Sequence, residues 1–256
     1  MFDKFKQKES SNPVMRSVAR EATREEQLGT LEAGLERTEE RSMTVTGAIN
    51  KTLMLTGLML ITAAYGFSNP SSLVMWGGFI GGLAMVVLGS YKPKTAKWSA
   101  PAYALFEGLF VGAISAMYAY MFDGIIIQAV SLTIGVLLAM LFLYQTGLIK
   151  VTAKFRAGIM MATGAVMLVY LASFALSFFG IQLPFLHQGG MIGIGISCVV
   201  LAIASLNLLL DFDNFEKGAA QGLPARYEWV FAMGLLVTLV WIYVEILRLL
   251  SYLSRD

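Results

Sequence analysis

Seven apolar stretches constrain this chain more than any other feature. Each is close to the roughly 20 residues that a helix needs to cross a hydrocarbon core about 30 Å thick. They lie at about 46–66, 72–90, 100–121, 124–145, 156–179, 191–212 and 227–250. No water in hydrocarbon pairs with free backbone N–H and C=O groups, so only helices and closed barrels span it, and long unbroken apolar runs select the helix. All six prolines (Pro13, Pro70, Pro93, Pro101, Pro184 and Pro224) fall outside these runs or at their ends. A residue without a backbone donor belongs there. The expected fold is an all-α membrane protein with seven transmembrane helices.

Charge divides the chain. Nine of the 17 acids and eight of the 19 lysines and arginines fall in residues 1–44, so the rest is poorer in charge than the overall 14%. Soluble domains average about 25%. Residues 1–44 are expected to be a mostly disordered cytosolic tail, with a short amphipathic helix through Leu28, Leu31 and Leu35 as the alternative. Residues 45–256 form the transmembrane domain. No apolar run precedes residue 45, so no cleavable signal is expected and the first span serves as its own insertion signal.

Basic residues count nine in the tail through Lys51, then zero, three, zero, three, zero, two and two in the successive polar segments. Positive charge marks the cytosolic side, so the N-terminus is expected inside and the C-terminus outside. Arg248 and Arg255 are the exceptions, and are expected to snorkel outward from the end of the last helix. The net charge of +2 comes from dispersed residues, which gives no surface for nucleic acid. One cysteine, Cys198, supports neither a disulfide framework nor a thiolate metal cluster.

Ionisable groups inside the apolar runs cost several kcal/mol unless they face protein or water, so they are candidates for function. Asp211 and Asp213 close the sixth run, Glu245 and Arg248 lie in the seventh, and Glu107 lies in the third. At a rise of about 1.5 Å per residue, Glu107 lies roughly 10 Å from the cytosolic boundary, Thr238 about 16 Å and Glu245 about 27 Å. Asp211 is expected at the cytosolic end of its helix. In the last span Gly234, Thr238, Trp241, Glu245 and Arg248 recur at three- and four-residue steps, a stripe that should face the bundle. Glu245 and Arg248 can pair within it. Asn207 and Asp211 share a face of the sixth span, while Asp213 is expected to point into headgroups.

The LLLDFD ending of span 6, the LLVTLVWIYVEILRLL run of span 7 and the YALFEGLFVG run of span 3 resemble the Bax inhibitor-1 family. RSMTVTGAINKT at the start of span 1 is similar to a bacterial branch, the YccA-like proteins. The resemblance covers roughly residues 40–253. It implies a last helix central in the bundle, a bacterial inner (plasma) membrane, and a pH-sensitive calcium leak. In that leak, aspartates of spans 6 and 7 share a proton and hold a cytosolic gate closed. The first matches Asp211. The second normally stands ten residues before a late arginine, which here falls on Thr238, so the latch does not carry over whole.

Two carboxyls close together in hydrocarbon cannot both ionise cheaply. Glu107 is the remaining acid at a compatible depth, so the expectation is a proton-sharing Glu107–Asp211 pair with a hydroxyl from Thr238. Lys97 or Arg156 would supply counter-charge. Asp213, Glu245, Arg248 and Asn207 are secondary candidates. Hard oxygen groups suit Ca²⁺, for which Asp211 is the place, though no firm metal site is defined. The partners expected are the bilayer, Ca²⁺ or other cations, and a membrane protein.

No lysine follows Arg226, which excludes a retinal Schiff base, and nothing calls for another cofactor. His187 sits in an outer loop and Cys198 lacks a base within a turn, so no enzyme is expected. The acidic step DFDNFE lacks the glycine and twelfth-residue glutamate of a calcium loop. The rival, which the resemblance to YccA-like proteins implies, is a membrane interaction protein that regulates a quality-control protease or stress response, with the charged tail as the handle a partner would grip. A secondary transporter ranks third, with glycine-rich span 2 its one sign of a broken helix.

Overall fold

The computed structural model describes residues 41–177, 179 and 190–254. The chain divides between Ser42 and Met43, and the unit from Met43 onward carries the architecture below. The tail with Leu28, Leu31 and Leu35, and His187 and Arg255, lie outside the described residues.

Among the described residues seven α-helices follow in order: α1 (Val45–Ser68), α2 (Ser72–Tyr91), α3 (Ala96–Met121), α4 (Ile125–Gln145), α5 (Ala153–Ser177), α6 (Met191–Ala220) and α7 (Arg226–Leu253). All seven are long and apolar enough to cross a membrane. Capping hydroxyls start three of them: Thr44 Oγ1 accepts from the Gly47 N–H at 2.9 Å, Ser71 Oγ from that of Val74 at 3.2 Å, and Thr152 Oγ1 from that of Phe155 at 3.2 Å. Between α3 and α4 the chain turns on Gly124 at φ +73°, open to a residue without Cβ.

Two boundaries differ from the apolar runs by four residues or more, both at the end of the bundle where the lysines collect, here the basic end. The third helix starts at Ala96 after a 3₁₀ turn, Pro93–Thr95, so Pro101 lies inside α3 rather than at its start. The sixth continues to Ala220, nine residues past Asp211. DFDNFEKGAA ends the hydrophobic run without ending the helix, because Asp213 and Lys217 pair at i,i+4 (2.7 Å) along the extension. The acidic step is thus helical rather than a loop.

α7 is the axis. It packs against α1, α2, α3, α4 and α6. Of its spanning window 61% is buried, against 39% at most in any other helix. Leu236, Ile242, Ile246 and Leu247 are wholly enclosed. Around the outside, Leu53, Ile61, Leu73, Ile127 and Leu168 face outward as a lipid-facing surface should.

Lipid tails are as apolar as leucine, so helices in a bilayer associate through close packing and polar contacts. Close packing joins α1, α2 and α3. A Cβ on Gly112 would fall 2.1 Å from the Ala63 carbonyl oxygen, on Gly108 2.3 Å from that of Met59, and on Gly78 2.7 Å from that of Phe106. Polar contacts serve α5, which buries only Ile159 and Ser173 and packs chiefly on α6.

Gly112→Val should destabilise the bundle by about 1–3 kcal/mol through overpacking. Gly135→Ala, with open space around the added carbon, should not. Thermal denaturation in detergent followed by size-exclusion chromatography measures both; equal midpoints would contradict the close-approach account.

Candidate functional site

The longer α6 moves Asp211 away from a helix end and into the bundle. Its carboxylate lies on the wall of a cavity of about 180 Å³ toward the basic end. Val86 and Ser90 of α2, Asn214 of α6 and a stretch of α7 from Val230 to Val237, with Phe231 and Met233, form the rest of the wall. Thr238 Oγ1 lies 2.7 Å from Asp211 Oδ2 and donates to it, with the Gly234 carbonyl as an alternative acceptor at 3.3 Å. Sequence reasoning set Thr238 a level above Asp211. The two are level, because α6 runs on nine residues past Asp211 at this end.

Glu107 is not hydrogen-bonded to Asp211 or Thr238. Its carboxylate is buried over α2, where a Cβ on Gly82 would fall 2.5 Å from Oε2, with Tyr103 alongside. Gly82, Val86 and Ser90 follow one another at four-residue steps, so Glu107 sits about 6 Å farther along α2 than the cavity wall at Val86. Missing side-chain atoms at Gly82 create the space that holds it. The structure therefore joins Asp211 with Thr238 and places Glu107 one turn away on another helix.

Asp213 is not among headgroups. It is buried, and accepts from Arg156 of α5 and from Lys217. Arg156 also donates to Asn214 Oδ1 at 2.8 Å, so of the two expected counter-charges it is the one held beside the acids. Lys97 instead lies over the ring of exposed Trp98, 5.7 Å from its centroid. Asn207 turns toward α5, donating to Thr163 Oγ1 at 2.8 Å and to the Ile203 carbonyl.

Arg248 does not snorkel. It donates to Glu245 Oε1 at 2.6 Å and to Ser197 Oγ at 3.2 Å, with its guanidinium 5.3 Å from the Tyr170 ring centre. The Tyr170 hydroxyl donates to the other Glu245 oxygen at 3.3 Å. Pairing within α7 was legible from the i,i+3 spacing. The partners on α5 and α6 were not, since serine and tyrosine in apolar runs carry no distinguishing signal.

Two further buried polar groups escaped the sequence reading. Glu228, in the first turn of α7, accepts from Lys51 and from the backbone N–H (2.8 Å) and hydroxyl (3.3 Å) of Thr44. Met43 N–H donates to the Leu223 carbonyl at 2.7 Å beside it, which fixes the start of α1 against the α6–α7 turn. Near the middle of the bundle Ser115 and Tyr243 share a 2.6 Å hydrogen bond. A near-terminal glutamate reads as solvated until its partner 177 residues earlier is known.

Seven apolar helices among the described residues, one of them buried among the other six, with an acid-lined cavity at one end, define a multi-pass integral membrane protein. Residues 12–255 match the family model described as Bax inhibitor 1 like. The chain belongs to that family. No curated protein matches it.

The Glu245–Arg248 pair gives a structural test. Removing one member of a buried pair costs about 3–5 kcal/mol, whereas replacing both with apolar residues is often neutral. Arg248→Met should sharply lower the yield of folded protein and its denaturation midpoint in detergent. Glu245→Leu with Arg248→Met should regain most of that loss; a double variant as poor as the single one would show that the pair does more than neutralise itself.

Proposed function

We propose that the protein is a cation leak channel of the Bax inhibitor-1 type, with its basic end in the cytosol and Asp211–Thr238 as the latch that closes it. The observation that carries this reading is the position of one carboxylate. Asp211 lines the cavity and accepts from a hydroxyl of the central helix, so it stands where a cation entering from the basic end would meet a closed wall. The wall offers a carboxylate, the Asn214 amide and the Ser90 hydroxyl. Oxygen donors of this kind favour Ca²⁺ over softer metals.

Two effects of pH oppose each other. Ionised Asp211 draws cations into the cavity, but it also accepts a charge-assisted bond from Thr238, roughly twice as strong as a neutral one. The latch is in series with the cavity, so holding it shut outweighs drawing cations to it. Protonation turns the link into a neutral hydrogen bond, weaker by about 1 kcal/mol, or roughly fivefold in the open population. One carboxylate and one hydroxyl replace the two carboxyls implied by the resemblance. The bond thus persists in both protonation states, and acid loosens it rather than breaking it.

In proteoliposomes, Ca²⁺ flux should be roughly fivefold greater at pH 6 than at pH 8. Asp211→Asn keeps an acceptor without the charge, so its flux should be high at both values. Thr238→Val, matched in shape, should leak at both as well. If Asp211→Asn keeps both the flux and the pH dependence of the parent protein, the reading is wrong.

A further inference from the structure

The polar contacts of α5 follow a repeat that the leak reading does not use. Arg156, Thr163 and Tyr170 stand seven residues apart, nearly two helical turns, and therefore lie along one face. Each is bound to the α6–α7 pair. Arg156 meets Asp213 and Asn214, Thr163 meets Asn207, and Tyr170 meets Glu245 with Arg248 over its ring. The three rungs cover about 21 Å of a hydrocarbon core about 30 Å thick.

Among the described residues, few other contacts of this helix are buried. Ile159 and Ser173 are its only buried residues, and an exposed Phe174 ring lies 6.4 Å from that of Trp76 on α2. Beside the third rung the α5–α6 seam is already parted, by an apolar cleft that Val169, Tyr170, Ile196 and Val199 line. By contrast α1, α2 and α3 approach to backbone contact at their glycines. One side of the bundle is sealed by shape, the other by hydrogen bonds.

The geometry points to α5 as a detachable gate helix: three polar rungs seven residues apart zip it to α6 and α7, and unzipping bares a polar column through the membrane. The column would consist of Asp213, Asn207, Ser197 and Glu245, continuous at its basic end with the Asp211 cavity. Lys217 stays with Asp213, and Arg248 with Glu245, when α5 leaves, so neither acid is stranded without a cation. This is what allows the separation: each ion pair has one cation on the helices that remain. The inference rests on the leak reading for its consequence but not for the motion itself.

The tests use full-length protein with Cys198→Ser in liposomes. Spin labels at exposed Met161 on α5 and Leu60 on α1 report the motion, and labels at Leu60 and Leu138 on α4 serve as the fixed reference. The first pair should give two distances and the second one. Thr163→Val with Tyr170→Phe, both close in shape, should enlarge the longer-distance population at least threefold and raise Ca²⁺ flux by a similar factor. A short bis-methanethiosulfonate bridge between Thr163→Cys and Asn207→Cys should cut flux at least tenfold, with reductant restoring it. A single distance, identical in the parent protein and the double variant, would overturn the proposal. So would full flux through the bridged protein. Two distances in a protein that passes no cation would uphold the detachable helix and remove the leak reading instead.

Discussion

Hydrocarbon offers no hydrogen bonds, and the architecture follows from that denial. Each backbone group must find its partner within its own helix, and a charged side chain must find its partner inside the bundle. Three acidic or basic groups of the central helix beyond its first residue, Glu228, Glu245 and Arg248, enter that setting, and each is met. Glu228 has Lys51 and Thr44, while Glu245 and Arg248 have one another together with Tyr170 and Ser197. Because α7 touches nearly every other helix, these contacts fix the arrangement of the whole domain.

Association without a hydrophobic driving force leaves close packing or polar bonding, and the two halves of this bundle use different ones. Glycine-to-carbonyl approach makes α1, α2 and α3 a unit in which a carbon added at Gly66, Gly78, Gly108 or Gly112 collides with backbone. On the other side, interhelical hydrogen bonds in membranes average only about 0.6 kcal/mol each, because a separated helix also finds partners. Two rungs of α5, at Thr163 and Tyr170, are bonds of this kind, and the third, the Arg156–Asp213 ion pair, lies at the basic end, so α5 is held less firmly than the helices locked at their glycines. The proposed motion therefore falls at α5, and Asn214, to which Arg156 of that helix donates, also lines the Asp211 cavity.

Asp211 shows how far a sequence reading reaches. Its type and position marked it as unusual, and Thr238 emerged from the family resemblance as the position facing it; the two are in contact. The proposed role for Glu107 relied on depth alone. Depth orders residues along one axis and says nothing of azimuth, and Glu107 points to the space over Gly82 on α2. The same limitation misplaced Asp213. An acid two residues from Asp211 must face elsewhere, but whether that direction holds headgroups or Arg156 depends on where α5 packs.

By itself, the sequence determined the number of spanning helices, their approximate limits, their apolar exterior and the residues whose charge demands an explanation. These depend on local hydropathy and helical rise, which act over some twenty residues. Tertiary structure alone decided that α6 outlasts its apolar run, that Glu228 is buried against Lys51, and that three residues of α5 form rungs to two other helices. Those outcomes depend on which faces of distant segments meet, and period and composition along a single chain do not encode that meeting.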